Sequence, residues 1–228
     1  MRTGFLIIII SSLFGCTTAP RHEETGPPSE TKREVVPSPL VALVAKVLEE
    51  SGQSGSLVYR GTCTSSGGMQ DSYRLATPPH DTSALQSLQV AFANEPTLKL
   101  KQESNLIRIF GGDIRSELLD LRIDQVVFQK ELDPYDVVYK LSSLPEVRAF
   151  MRAHRMQFIT AVGGIHPSPT EGSPRLNGVL KNVAFSDVLD RIAQAFHGVW
   201  VYEECAGSQG ERRIYIGFHQ FSLRSRSQ

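Results

Sequence analysis

"LNGVLKNVAFSDVLDRIAQAFHGVWVYEEC", residues 176–205, carries two hydrophobic periods in one run, and the change from one to the other decides the fold. Residues 176–185 form an apolar strand. From Ser186 the pattern becomes helical, because Val188, Leu189, Ile192 and Phe196 lie on one face at 3.6 residues per turn. Ser186 is the expected N-cap, Asp187 and Asp190 suit the positive end of the helix dipole, and Gly198 is the expected stop. "VWVYEEC" and "RRIYIGF" then pair as a hairpin around "AGSQGE". Strand, helix and hairpin in this order predict an α+β protein with small mixed or antiparallel sheets packed against helices.

The remaining ordered sequence extends the same grammar. "SPLVALVAKVLEESG" predicts a helix capped by Ser38, started by Pro39 and stopped by Gly52, followed by a strand running to Cys63. A second helix begins at Asp81 or Thr82 and ends before Pro96, burying Leu85, Leu88 and Phe92. "TLKLKQ" and "NLIRIF" form a hairpin turning near Ser104 and Asn105. "DIRSELLD" reads as a short helix capped by Asp113, and "LRIDQVVFQ" as a strand whose alternation changes phase, as at a bulge. Asp133 with Pro134, and then Pro145, open a kinked helix pair with Val147, Phe150 and Met151 on its buried side.

An echo links the two ends of this region. "LVAKVLEESGQSGSLVYRGTC" and "VLDRIAQAFHGVWVYEEC" both read helix, glycine, apolar strand, cysteine, which raises the hypothesis of two similar α/β halves sharing a sheet. Such sharing places Cys63 near Cys205. "GGIHPSPTEGSP", residues 163–174, is either a sub-boundary within the 38–221 region or a long surface loop. Residues 222–228 read as a frayed polar tail.

Leu176 to Phe218 resembles the short N-terminal module of secretins and TonB-dependent receptors, whose core is an apolar strand, a helix like "DVLDRIA" and a hairpin. The rest of those families, the channel-forming region or the plug and barrel, has no counterpart in this sequence. The resemblance therefore implies a periplasmic protein-docking role and not a channel.

The N-terminus bears on compartment. "FLIIIISSLFGC" follows one cation, Arg2, and its apolar run is about half the ~20 residues a helix needs to cross a bilayer. It resembles a bacterial lipoprotein signal, with Leu13, Gly15 and Cys16 on the motif and Phe14 bulkier than the pattern favours. The alternative is a buried N-terminal strand. The resemblance implies that residues 1–15 are removed and that Cys16 becomes the lipidated N-terminus. Thr17 stands where an aspartate would retain the protein at the inner membrane, so the expected location is the periplasmic side of the outer membrane. Residues 16–37, polar and rich in Pro, Glu and Thr, then form a disordered tether.

Lipidation removes Cys16 from the thiol count and leaves Cys63 and Cys205 in an oxidising compartment. They are expected to form a disulfide; two buried free thiols are the alternative.

Chemistry is thinly signalled. The chain has 228 residues, 24 Lys+Arg against 24 Asp+Glu, and thus no net basic field to hold nucleic acid. No Gly-x-Ser-x-Gly, His-Glu-x-x-His, phosphate loop or calcium loop occurs, and the histidines at 22, 80, 154, 166, 197 and 219 have no ligand spacing on one helix. No catalytic residue, cofactor or metal is assigned. Ser29 and Lys32 match Ser-x-x-Lys only within the polar tether, where no rigid site can activate a nucleophile. His154 and His197 suit helix C-termini, and Glu203 and Glu204 a solvated strand end. Trp200 and Tyr202, alternating on one strand face, are the candidate binding surface, with core packing as the competing role. The expected function is that of a non-enzymatic lipoprotein docking another envelope protein in a secretion or uptake assembly; the alternative is a periplasmic hydrolase or small-ligand binder using His166 and Ser168.

Overall fold

The computed structural model describes residues 38–63, 69–70, 72–79, 81–112, 114, 116–131, 133–159, 175–206 and 210–221. Helix α1 (Pro39–Ser51) leads to strands β1 (Ser54–Arg60), β2 (Thr62–Cys63) and β3 (Met69–Gln70). Helix α2 (Ala84–Ala91) precedes β4 (Leu98–Glu103), β5 (Leu106–Gly111) and β6 (Arg122–Glu131). Next come α3 (Pro134–Ser142), α4 (Pro145–Ala153), β7 (Met156–Phe158), β8 (Leu176–Ala184), α5 (Phe185–Phe196), β9 (Gly198–Ala206) and β10 (Arg212–Gln220).

A mixed six-stranded sheet in the order β4-β5-β1-β9-β10-β7 organises the chain, with β6-β8 and β2-β3 as separate antiparallel pairs. The protein is α+β. Side chains alternate across β1 and β9, so the two faces of the sheet build two cores. Leu57, Tyr59, Val199 and Val201 pack with α1 and α2 on one side. Val58, Trp200 and Tyr202 pack with α3, α4, α5 and the β6-β8 pair on the other. Among the described residues no helix is long and apolar enough to cross a membrane.

The two helix–strand echoes do share the sheet, since β1 and β9 are parallel neighbours with Gly55 opposite Val199 and Arg60 opposite Glu204. Their surroundings differ: β5 runs parallel to β1, whereas β10 runs antiparallel to β9. The preceding helices α1 and α5 also lie on opposite faces. Residues 163–174 lie outside the described residues; Met156 before them and Leu176 after them belong to the same core.

Helix ends follow the sequence at α1, where the Ser38 hydroxyl accepts from Val41 N–H and Gly52 closes the helix at φ 67°. At α2 the helix begins later than expected, because Ser83 and Gln86 form a reciprocal capping box there. Leu88 and Phe92 are buried as expected, and Leu85 is half-buried. Asp133 caps α3 by accepting from Tyr135 N–H at 2.7 Å. Pro145 opens α4, which buries Val147 and Met151 and leaves Phe150 half-buried.

Two expectations need correction. Where "DIRSELLD" predicts a helix, residues 117–120 are a turn, with Leu118 and Leu119 buried; Asp113 and Arg115 lie outside the described residues. The carbonyls of Leu119 and Leu121 accept from Ser186 and Phe185 N–H, at 3.0 and 2.9 Å. That contact corrects the second, because α5 starts one residue before Ser186, and backbone carbonyls from the turn satisfy its free N–H groups with no side-chain cap.

The far end of α5 also differs. His197, not Gly198, takes the left-handed conformation, at φ 51°. Gly198 is required for space instead: a Cβ there would sit 2.4 Å from His219 O and 2.4 Å from the Phe218 ring. Gly198→Ala is therefore expected to lower stability by about 2 kcal/mol through overpacking between β9 and β10. An unchanged urea midpoint would show that β10 yields freely.

Candidate functional site

Trp200 and Tyr202 are not a surface. They are 1% and 0% exposed, on the face of β9 covered by α5 and the loop before β6. Their polar atoms explain how two such side chains can be buried, because each finds a partner within the core. The indole N–H of Trp200 donates to Asp190 Oδ1 at 2.7 Å. Arg108 from β5 closes the far side of Asp190 with an ion pair and reaches Glu103 at 3.0 Å. Burial pushes the Asp190 carboxyl above its ordinary value, with the Trp200 and Arg108 contacts opposing that shift.

Tyr202 heads a second network. Its hydroxyl accepts from Ser116 Oγ at 2.7 Å and donates to Glu204 Oε2 at 3.0 Å. Arg212 holds Glu204 with two bonds, at 2.8 and 3.0 Å, and burial raises the Tyr202 pKa. Glu204 is thus no solvated strand end. It is 3% exposed because β9 is central and Arg212, two residues off its cross-strand partner Ile214, neutralises it. Glu203 is buried too.

Cys63 and Cys205 are bridged, with their Cα atoms 5.3 Å apart. Of the other sequence candidates, Cys16, His22, Ser29, Lys32, His80, His166 and Ser168 lie outside the described residues. His154 stacks on Phe150 and lies 3.3 Å from Glu117. Burial pushes the His219 imidazole below its usual value. Among the described residues no cluster of His, Cys, Asp or Glu is arranged to hold a metal ion.

Sequence reasoning missed a surface feature at the end of the sheet. An open groove of about 670 Å³ runs over Met151, Arg152, Arg155, Gln157 and Arg213. A second, of about 520 Å³, shares Met151 and Arg152 and extends to Arg148, Tyr139 and Phe158. Beside them lies β7, which among the described residues pairs with β10 alone. Comparison with family models, curated proteins and solved structures finds no match. The site must be read from its own geometry.

That geometry follows from α4. Its inward face carries Val147 and Met151, leaving Arg148 and Arg152 exposed one turn apart. Arg155 turns the chain at φ 52° into β7, and its carbonyl accepts from Arg212 N–H at 3.1 Å. Arg213 contacts Glu211 at 3.3 Å, the one acid lining either groove among the described residues. Four guanidiniums therefore face a single carboxylate in a chain of zero net charge. The signal was dispersed in sequence: "RAFMRAHR" contributes three arginines, and only the pairing of β7 with β10 brings Arg213 to them.

Proposed function

We propose that this protein is a lipoprotein, anchored through Cys16 on the periplasmic side of the outer membrane, that docks another envelope protein in a secretion or uptake assembly. It works by binding and not by catalysis. The observation that carries the docking reading is the shape of the groove beside β7: open, cationic and set at a sheet edge, where a protein surface can be met. The Cys63–Cys205 bridge supports export, because such bridges persist in oxidising compartments. The order strand, helix, hairpin in residues 176–220 supports kinship of role with the docking modules of secretins and TonB-dependent receptors.

Crosslinking in intact cells, followed by purification from membranes, tests the anchored reading. The native chain should recover a specific envelope partner and Cys16→Ser should lose it. Equal recovery by the soluble variant, or an intact mass that retains Met1 and lacks fatty chains, would overturn it.

A further inference from the structure

Among the described residues the outer edge of β7 meets no other strand. Arg155 O and Ile159 N–H both bond to β10, the first to Arg212 N–H and the second to Ile214 O at 2.7 Å. In a ladder of period two, Gln157 then faces β10 as well, so the N–H and C=O groups of Met156 and Phe158 point the other way. No strand of the described residues meets them. The opposite edge of the sheet is different in kind: β4 carries Lys99 and Lys101, the charged residues by which proteins discourage edge pairing. β7, reading Met-Gln-Phe, carries no such guard.

Charge and shape around that edge specify what could occupy it. Arg148, Arg152 and Arg155 are exposed, and among the described residues the guanidiniums of Arg148 and Arg155 meet no carboxylate. Alternate positions of an added strand would meet different linings, Gln157 and Arg213 in one groove and Tyr139 and Phe158 in the other, with Met151 shared by both. We propose that an extended acidic segment of the docked protein adds as a strand beside β7, its backbone pairing with Met156 and Phe158 and its carboxylates meeting Arg148, Arg152 and Arg155. This rests on the docking reading and names its site. Three residues supply few ladder bonds, so the guanidiniums carry most of the attraction and binding must weaken as salt screens them.

A synthetic peptide of alternating Glu and Val, about six residues long as strands commonly are, is a suitable probe for the folded chain. Amide hydrogen exchange resolved by residue should show Met156 and Phe158 exchanging fast in the free protein, with Ile159 already protected. Saturating peptide should slow both fast amides. The double variant Arg152→Glu/Arg155→Glu should bind about tenfold more weakly, the sum of two exposed ion pairs lost and replaced by repulsion. A control peptide with Lys in place of Glu should not bind at all.

Protection of Met156 and Phe158 in the free chain would show the edge already taken and overturn the proposal. So would binding of the Lys peptide, or a response of the arginines to anionic vesicles or duplex DNA but not to the Glu peptide. If the membrane partner is retained equally by the native chain and by Arg152→Glu/Arg155→Glu, docking stands and only its assignment to β7 falls.

Discussion

Removing the bridge with the pair Cys63→Ser and Cys205→Ser should lower the unfolding free energy by about 4 kcal/mol, a large share of the ~5–15 kcal/mol that holds a domain folded. The bridged residues are 142 apart in sequence. In the chain-entropy account, opening a loop of that length releases about 5 kcal/mol of denatured-state freedom, and native-state adjustments reduce the figure. The native contacts at risk are modest by comparison. Cys205 is fully buried on β9, and β1 and β9 stay in register through their own ladder from Gly55 to Arg60. The loss should therefore appear through the unfolded state: a lower urea midpoint, with a steeper slope because the reduced denatured chain exposes more surface. Far-ultraviolet spectra of the two folded forms should coincide. Equal midpoints would mean that the bridge constrains nothing, and would remove the stability argument for an oxidising compartment.

Much of the frame was legible because it depends on local pattern. Helices α1 and α5, the β4-β5 hairpin and the β9-β10 hairpin each carry their period and turn residues within one continuous segment. The pairing of Cys63 with Cys205 was reachable through the echo of helix, glycine, strand and cysteine. What failed depended on distant partners. Ser186 looked like a cap, but carbonyls of Leu119 and Leu121 took that role from across the fold. Gly198 looked like a left-handed stop, but the requirement came from Phe218 and His219 on the neighbouring strand. Trp200, Tyr202 and Glu204 carry polar atoms that suggest a surface, and only Asp190, Ser116 and Arg212 make their burial tolerable. The Glu204–Arg212 contact was the most accessible of these, since the hairpin register already set the two residues on a diagonal.

Asp190 on α5 separates these two kinds of information most sharply, and its removal should be strongly destabilising. Placed one turn into α5, it looks like a residue chosen for the helix dipole. It is 6% exposed, bonded to the Trp200 indole and paired with Arg108, which arrives from β5. Asp190→Ala would leave the indole N–H without an acceptor and Arg108 with Glu103 alone. Breaking one partner out of a buried ion pair and hydrogen bond destabilises by about 3 kcal/mol, more than the ~1 kcal/mol of an ordinary bond, because the remaining groups stay desolvated. Asp190→Asn keeps one acceptor and should lose about half as much. The two variants also differ in pH dependence. Burial raises the Asp190 pKa in the folded state above its unfolded value, so the folded chain binds the proton more tightly. That contribution is complete below the unfolded pKa of about 3.9 and is lost as pH rises through the higher folded value. Urea titrations across this acid range should show native stability losing this increment with rising pH and Asp190→Asn lacking it. Parallel profiles for native and Asn variants would show that ionisation of Asp190 is not coupled to folding. A loss under about 1 kcal/mol in Asp190→Ala would show that water readily replaces the carboxylate beside Trp200.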